Sequence, residues 1–175
     1  VYGIPCIWKK DADCTPGRLV ESAVDHHKEN TMKNYEKTGK DPERKNVHLI
    51  IGGAFQGKLQ YAETLYSKIC WYDGAECQPE QLEKELTKID GIVHFELLVR
   101  RWMEDGRETE ELTGLLMNRR KGLVVLISDE IGYGLVPVDA FERKYREAHG
   151  RLMTDLAAQA QRVDRVVCGI GTRLR

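Results

Sequence analysis

An apolar run that leads directly into a glycine-rich turn is the strongest constraint on how this chain folds. Residues 47–51 read VHLII, and residues 52–59 read GGAFQGKL. The apolar run predicts a strand buried on both faces, and residues 59–71 have the periodicity of a helix. Strand, glycine turn and helix in this order match the phosphate-binding pattern G-x-x-x-x-G-K-[ST]. The sequence therefore predicts a P-loop that binds the phosphates of a nucleotide.

Each part of this loop has an expected role. Backbone N–H groups of a glycine-rich turn wrap phosphate oxygens, and the start of the following helix adds partial positive charge. Lys58 would bridge the terminal phosphates. The predicted nucleotide-binding residues are Gly52, Gly53, Ala54, Phe55, Gln56, Gly57, Lys58 and Leu59.

Leu59 departs from the pattern. The last position of a P-loop normally carries Ser or Thr, whose hydroxyl coordinates Mg²⁺, and a leucine side chain cannot do this. Two alternatives follow: another group holds the metal, or phosphoryl transfer is impaired. A chance glycine turn remains the alternative to a phosphate site.

Strands and helices alternate through the rest of the chain. Further strands are predicted at 91–95, 122–128 and 165–169, and helices at 79–82, 96–105, 108–120 and 138–163. This alternation predicts an α/β fold with a mostly parallel sheet and helices on both faces. Residues 1–46 differ from the rest and are interpreted as an N-terminal extension of unknown role, preceding a nucleotide-binding domain at 47–175.

The composition limits the classes of partner. The chain has 27 Lys and Arg against 28 Asp and Glu, a formal net charge of −1, so its charge gives no general attraction to nucleic acid or to anionic membranes. We find no apolar run of about 18 residues and no signal-peptide pattern, and we expect a cytoplasmic protein. The five cysteines have no C-x-x-C pair, which argues against a zinc ribbon or a redox motif.

A second candidate site follows the strongest predicted strand. Residues 128–137 read SDEIGYGLVP, and polar residues after a strand of a parallel sheet lie at the carboxyl edge, where ligands bind. Asp129 and Glu130 are candidates for contact with a metal or a ribose. The alternative is an ordinary loop with a solvated pair of acids.

The last fifty residues closely resemble a known family, the bifunctional adenosylcobinamide kinase / adenosylcobinamide-phosphate guanylyltransferases. That family reads roughly V-[ST]-N-E-V-G-x-G-I-V-P, then R-x-F-R-D-x-x-G-x-x-N, and ends in a V-x-G-I segment. Its P-loop, G-G-A-R-S-G-K-S, agrees with residues 52–59 at five positions, and the resemblance covers residues 47–175.

The resemblance implies a RecA-like P-loop NTPase fold that is often trimeric. It also implies phosphorylation of the aminopropanol hydroxyl of a corrinoid by ATP or GTP with Mg²⁺, followed by GMP transfer through a histidine. The implied partners are the nucleotide, the corrinoid adenosylcobinamide and further copies of the chain.

The histidine of this family has no counterpart at the expected position. It lies about thirty residues after the P-loop, on a helix that follows the second strand, whereas residues 59–89 contain no histidine. That segment is also expected to be too short for the second strand and helix. His27 lies in a similar local sequence, His26-His27-Lys28, but precedes the P-loop. Either a rearranged order returns it to the site or the likeness is a coincidence. His94 is interpreted as a packing residue inside a strand.

The family also has a carboxylate after the apolar run of its middle strand, and Glu96 lies near the corresponding place. A one-residue shift of register would turn its side chain to the other face of the sheet, and the alternative to a metal ligand is an ordinary acid in the first turn of a helix. The candidate catalytic residues are therefore Lys58, Glu130, Glu96 and His27, and the candidate metal ligands are Glu96 and Asp129. Two functional hypotheses remain: a nucleotide-dependent kinase of cobinamide salvage, with or without guanylyl transfer, and a degenerate protein that binds nucleotide or corrinoid without catalysis.

Overall fold

A seven-stranded sheet organises the part of the chain described by the structure, a computed structural model that covers residues 7–8, 45–119 and 122–175. The order across the sheet is β1-β3-β4-β5-β2-β6-β7. The inner strands pair in parallel, whereas β1 and β7 at the edges are antiparallel to their neighbours. The strands are β1 (Ile7–Trp8), β2 (Lys45–Gly52), β3 (Trp71–Asp73), β4 (Gly91–Val93), β5 (Val124–Asp129), β6 (Ala160–Val167) and β7 (Ile170–Arg173).

Helices connect the parallel strands, which confirms the predicted α/β fold with a mostly parallel sheet. A 3₁₀ turn at Pro79–Gln81 runs into the second of the helices. The helices are α1 (Lys58–Leu65), α2 (Leu82–Glu85), α3 (Phe95–Glu104), α4 (Thr109–Met117) and α5 (Ala140–Gln159). Within the described ranges, no helix combines the length and the apolar character needed to cross a membrane.

The central strand β2 explains why both faces of the sheet are covered. Side chains of a strand point to alternate faces, and every residue from Val47 to Ile50 is buried. Leu49 packs in the larger core, which includes residues of α3, α4 and α5, whereas Ile50 packs in a smaller core beside α1. The continuous apolar run thus faces a core on each side, as the sequence predicted.

A polar network lies on the α1 face of the sheet. Asp164 of β6 is fully buried, and its Oδ2 accepts a hydrogen bond from the Tyr61 hydroxyl at 2.8 Å and lies 3.1 Å from His48 Nε2. Arg162 Nε donates to the other carboxylate oxygen at 3.0 Å. Burial raises the pKa of Asp164, but the hydrogen bonds from its partners outweigh it and leave that pKa below its usual range. The network joins helix α1 to strand β6, because Tyr61 belongs to α1.

The predicted C-terminal ends of helix α1 and strand β4 were wrong. The helix predicted at 59–71 ends at Leu65, because Tyr66 has an extended backbone, and Trp71 begins strand β3. The strand predicted at 91–95 ends at Val93, because His94 has a left-handed φ of 50° and Phe95 begins α3. The segment between α1 and β4 contains β3, the 3₁₀ turn and α2, so the expectation that it was too short for a second strand and helix was also wrong.

The C-terminal boundaries differ in a similar way. The helix predicted at 138–163 begins at Ala140 and ends at Gln159, and it continues through Gly150 without a break. Residues from Ala160 onward belong instead to β6, which pairs with β2. Of the predicted N-terminal extension, residues 1–46, the structure describes the pairing of Ile7–Trp8 with β3 and the first residues of β2, which begins at Lys45. His27 lies outside the described residues.

Candidate functional site

A cleft of about 720 Å³ opens where the parallel strands end. The glycine-rich loop, residues 52–59, lies between β2 and α1 and forms one wall of it, while residues after β4 and β5 form the others. The register of β2 and β5 places Gly52 directly beside Asp129. Parallel pairing therefore brings together the two segments that the sequence singled out, although they are separated by more than seventy residues.

The glycine-rich loop is held tightly against the turn between β6 and β7. A Cβ atom on Gly52 would lie 2.3 Å from the carbonyl oxygen of Val166, so only glycine fits there. Gln56 makes two contacts with the turn: its backbone carbonyl accepts from Gly169 N at 2.9 Å, and its Oε1 accepts from Cys168 N at 2.7 Å. Gln56 therefore anchors the loop, a role that its identity alone did not reveal.

Lys58 begins helix α1 and is largely buried. Its Nζ donates to the carbonyl of Gly53 at 2.7 Å and forms an ion pair with Asp129 Oδ1. The residue before it, Gly57, has a left-handed φ of 79° and provides no side chain to cap the helix. The positive end of α1 and the Lys58 ammonium consequently meet in one place, an arrangement that favours an anion.

Glu96 and Asp129, the candidate metal ligands, lie next to each other in the cleft. The backbone N–H of Asp129 donates to Glu96 Oε2 at 2.9 Å, and burial raises the pKa of Glu96. Tyr145 of α5 supports this corner, since its hydroxyl donates to the carbonyl oxygen of Glu96 at 2.6 Å. The one-residue shift considered for Glu96 does not remove it from the site, because it lies in the first turn of α3 rather than on a strand.

Two adjacent carboxylates fit a Mg²⁺ ion that is held jointly with substrate. Mg²⁺ commonly binds to one or two protein carboxylates and takes its other ligands from phosphates and water. Among the described residues, no group of three or more His, Cys, Asp or Glu side chains is arranged to hold a metal. The donor set of Glu96 and Asp129 therefore suits a metal that arrives with a nucleotide better than a metal enclosed by protein alone.

Leu59 lies at the cleft, whereas Glu130 does not line it. Leu59 lines the cleft but also packs against the smaller core, which gives its apolar side chain a structural role. Glu130 Oε2 pairs with Arg165 Nη2 at 3.0 Å, and its backbone N–H donates to Gly52 at 3.0 Å. The carboxylate of Glu130 is thus engaged beside the cleft and does not line it.

His94 is a residue of the cleft that the sequence interpretation assigned to packing. Its side chain is half exposed, and its Nδ1 lies 2.8 Å from Asp73 Oδ1 at the end of β3. This hydrogen bond raises the pKa of His94. With Nδ1 facing Asp73, Nε2 is the ring nitrogen left for a ligand. A polar residue directly after the apolar segment Gly91–Val93 was the available signal, because the two strands that neighbour β4 also end in polar residues, Asp73 and Asp129.

Comparison of the sequence with known protein families gives a match over the C-terminal half of the chain. A family model described as cobinamide kinase / cobinamide phosphate guanyltransferase matches residues 78–174, more than half of the chain. The match includes Glu96, Asp129 and His94, whereas the glycine-rich loop precedes it.

Two curated proteins are similar over a shorter stretch. The chain is 42% identical over 52 residues to the bifunctional adenosylcobalamin biosynthesis protein CobU of Escherichia coli strain K12. It is equally identical, over the same length, to the protein of that name from Salmonella typhimurium. Each alignment spans 30% of this chain and 29% of the relative. Because the family model extends over most of the described domain, the chain belongs to the cobinamide kinase / cobinamide phosphate guanyltransferase family.

Proposed function

We propose that this chain is a nucleotide-dependent kinase of adenosylcobinamide that works in cobalamin biosynthesis or salvage. The observation that carries the proposal is the convergence of Lys58 with Asp129 and Glu96 in one cleft. A lysine at a helix start beside two carboxylates can bind phosphates and the metal that accompanies them. In this proposal the domain has a RecA-like P-loop fold, and a trimer is the expected assembly, both by likeness to the family.

The phosphoryl transfer assigns a role to each of these groups. The amides of the glycine-rich loop and Lys58 bind the phosphates of ATP or GTP. Mg²⁺, when bound by Asp129 and Glu96, would neutralise charge on the phosphates. The hydroxyl oxygen of the corrinoid attacks the terminal phosphorus, the bond from that phosphorus to the bridging oxygen breaks, and the nucleoside diphosphate leaves. Glu96 either contributes to the metal site or accepts the hydroxyl proton.

Guanylyl transfer is the second half of the proposed activity, and it needs a histidine that reaches the cleft. His94 satisfies this condition among the described residues, because it lines the cleft with Asp73 fixing one ring nitrogen. His27 is the other candidate, on the strength of its local sequence. In this step a ring nitrogen would attack the α-phosphorus of GTP, pyrophosphate would leave, and the GMP would then pass to the corrinoid phosphate.

The alternative is a protein that binds nucleotide or corrinoid without catalysis. Leu59 favours this alternative, since it removes the hydroxyl that normally coordinates Mg²⁺. The intact Lys58 and the paired acids favour an enzyme, because a protein that only senses a ligand has no need for a metal site beside the phosphates.

One set of labelling reactions separates these functions. The protein is incubated with Mg²⁺, adenosylcobinamide and either γ-labelled or α-labelled GTP, and then both the corrinoid and the protein are assayed for label. Label transferred from the γ position to the corrinoid establishes the kinase. Acid-labile label on the protein from α-labelled GTP establishes guanylyl transfer, and its loss in His94→Asn or in His27→Asn identifies the carrier. Nucleotide binding without any transfer would support the non-catalytic alternative, and the absence of binding would exclude both.

A further inference from the structure

Two aromatic side chains at the cleft are exposed to solvent, although exposure of a large aromatic residue is unfavourable. Phe55, in the glycine-rich loop, is 103% exposed, and Tyr133, in the loop after β5, is 73% exposed. Both line the cleft that contains Lys58. Other large aromatic residues of the domain, such as Trp102 and Tyr72, are fully buried. The position of Phe55 and Tyr133 therefore calls for a ligand that covers them.

The backbone holds Phe55 outward. Its φ of 58° is in the left-handed region, which is unusual for a residue with a bulky side chain. The next residue, Gln56, is attached to the turn between β6 and β7 by its backbone carbonyl and its side chain. The loop therefore presents the phenyl ring of Phe55 in a fixed place instead of letting it fold onto a core.

The loop that carries Tyr133 is also fixed. Arg146 of α5 donates to the carbonyl oxygens of Leu135 at 2.6 Å and Gly132 at 2.7 Å. The Tyr133 hydroxyl lies 3.4 Å from Arg165 Nη2. These contacts hold the loop while the ring of Tyr133 stays exposed at the cleft, so both loops that carry the aromatic rings are held in place before a ligand arrives.

We propose that Phe55 and Tyr133 form the subsite on which the nucleobase of the bound nucleotide stacks. This inference rests on the proposed function, since it needs a nucleotide whose phosphates lie at Lys58. Phe55 precedes Lys58 by three residues in the same loop, and Phe55, Tyr133 and Lys58 line one cleft, so the aromatic subsite adjoins the place of the phosphates. Stacking on aromatic faces accepts any base, and the subsite therefore adds affinity for nucleotides without requiring one particular base.

Inorganic tripolyphosphate provides the decisive comparison, because it carries the phosphates of a nucleotide without the base. Affinities of GTP, ATP and tripolyphosphate are measured by calorimetry for the full chain and for Phe55→Ala and Tyr133→Ala. Each substitution is expected to weaken nucleotide binding about tenfold, within the usual effect of removing one stacking side chain, and to leave tripolyphosphate binding unchanged. Phe55→Trp should retain nucleotide affinity, whereas Phe55→Leu, which keeps the apolar bulk but not the ring, should not.

Leu135→Ala is the matched control. Leu135 is 93% exposed and lies on the same loop as Tyr133, but it does not line the cleft, so its removal should change neither affinity. A base analogue adds an optical readout: the fluorescence of 2-aminopurine riboside triphosphate should be quenched on binding to the unaltered protein and less so in the two alanine variants.

Several results would overturn the assignment. Equal losses for nucleotide and tripolyphosphate would mean that the substitutions damage the loop. Unchanged nucleotide affinity with reduced corrinoid affinity would mean that the two aromatic rings contact the corrinoid. Unchanged nucleotide affinity with an altered sedimentation coefficient would mean that they contact another protein chain. If the unaltered protein binds tripolyphosphate as tightly as it binds GTP and ATP, only the proposed base subsite fails. If it binds neither, the proposed function fails with it.

Discussion

Lys58 and Asp129 form an ion pair in the cleft although each has another partner in the proposed nucleotide complex. Lys58 Nζ contacts Asp129 Oδ1, and the register between β2 and β5 brings the two segments together. A lysine paired with a carboxylate is less available to a phosphate, and the carboxylate itself repels an anion. In the proposed complex, this ion pair would therefore oppose phosphate binding at Lys58 until a cation binds to Asp129.

Asp129→Asn should therefore have opposite effects with and without Mg²⁺. In the presence of EDTA, we expect nucleotide affinity to rise about tenfold, because one repulsive charge is lost and Lys58 is released. With Mg²⁺ in excess, phosphoryl transfer should fall on the order of 100-fold, since a metal ligand is lost. Calorimetry in both buffers and a transfer assay measure the two effects. Asp155→Asn, an exposed acid on α5, makes the same change in net charge and should produce neither. A decrease in metal-free affinity would contradict the ion-pair argument.

Leu59 offers a second test, because its replacement by serine restores the hydroxyl that P-loops normally use. In Leu59→Ser we expect Mg²⁺-dependent nucleotide affinity to increase several-fold, since the hydroxyl adds a metal ligand. We also expect the free energy of unfolding to decrease by about 1–3 kcal/mol, because the leucine packs against the smaller core.

Leu59→Ala separates these two effects. It removes the same packing but supplies no hydroxyl, so it should lose stability to a similar extent without gaining affinity. Equal Mg²⁺ titrations for the serine and alanine variants would mean that position 59 does not reach the metal.

The fold could be predicted from the sequence to a greater extent than the site. The buried run at β2 and the alternation of strands and helices identified a mostly parallel sheet, because apolar periodicity reflects burial directly. Parallel pairing then made Asp129 a reasonable neighbour of the glycine-rich loop. Contacts between segments far apart in the chain were not predictable, and Gln56 is the clearest case, since its partners Cys168 and Gly169 lie more than 110 residues later.

The role of His94 was missed for a local reason. A histidine after three apolar residues was interpreted as the continuation of a strand, whereas its left-handed backbone ends the strand and begins α3. The pattern of apolar residues does not encode that turn. The partner that completes the pair, Asp73, ends β3, a strand that the sequence analysis did not predict, so neither half of the pair was recognised.

Gly52 provides a test of how closely the glycine-rich loop must approach β6. A Cβ atom at this position would lie 2.3 Å from the backbone carbonyl of Val166, and a backbone atom of a central strand cannot move easily. We expect Gly52→Ala to lower the free energy of unfolding by about 1–3 kcal/mol and to weaken tripolyphosphate binding by displacing the loop.

Gly53→Ala is the control from the next position, where the closest contact of an added Cβ would be 3.4 Å, to the flexible side chain of Gln56. It should retain both stability and affinity. Chemical denaturation and calorimetry measure these quantities, and similar losses in the two variants would show that any side chain in the loop is harmful, whatever its distance from β6.

His149 of α5 is a buried histidine that the proposed chemistry does not use. Its Nε2 lies 3.0 Å from the hydroxyl oxygen of Ser128, which is also buried. Burial lowers the pKa of His149 to about 4, so the ring remains neutral in the folded protein at pH values where an exposed histidine is charged. Ser128 directly precedes Asp129 in the sequence, so this contact ties the end of β5 to helix α5.

This low pKa makes the stability of the protein depend on pH in a defined window. Between pH 6.5 and about 4, the unfolded chain binds a proton at His149 that the folded chain does not, so the free energy of unfolding must decrease as the pH falls. The full loss from this one residue is on the order of 3 kcal/mol; it begins as the pH falls through 6.5 and is complete below about pH 4. His149→Gln keeps a hydrogen-bonding group for Ser128 but cannot take up a proton. Urea denaturation at a series of pH values should therefore give a shallower loss of stability for the variant below pH 6.5. The variant should retain some slope, because the pKa of His48 is also lowered by burial. Parallel profiles for the two proteins would mean that His149 titrates normally and is not shielded in solution.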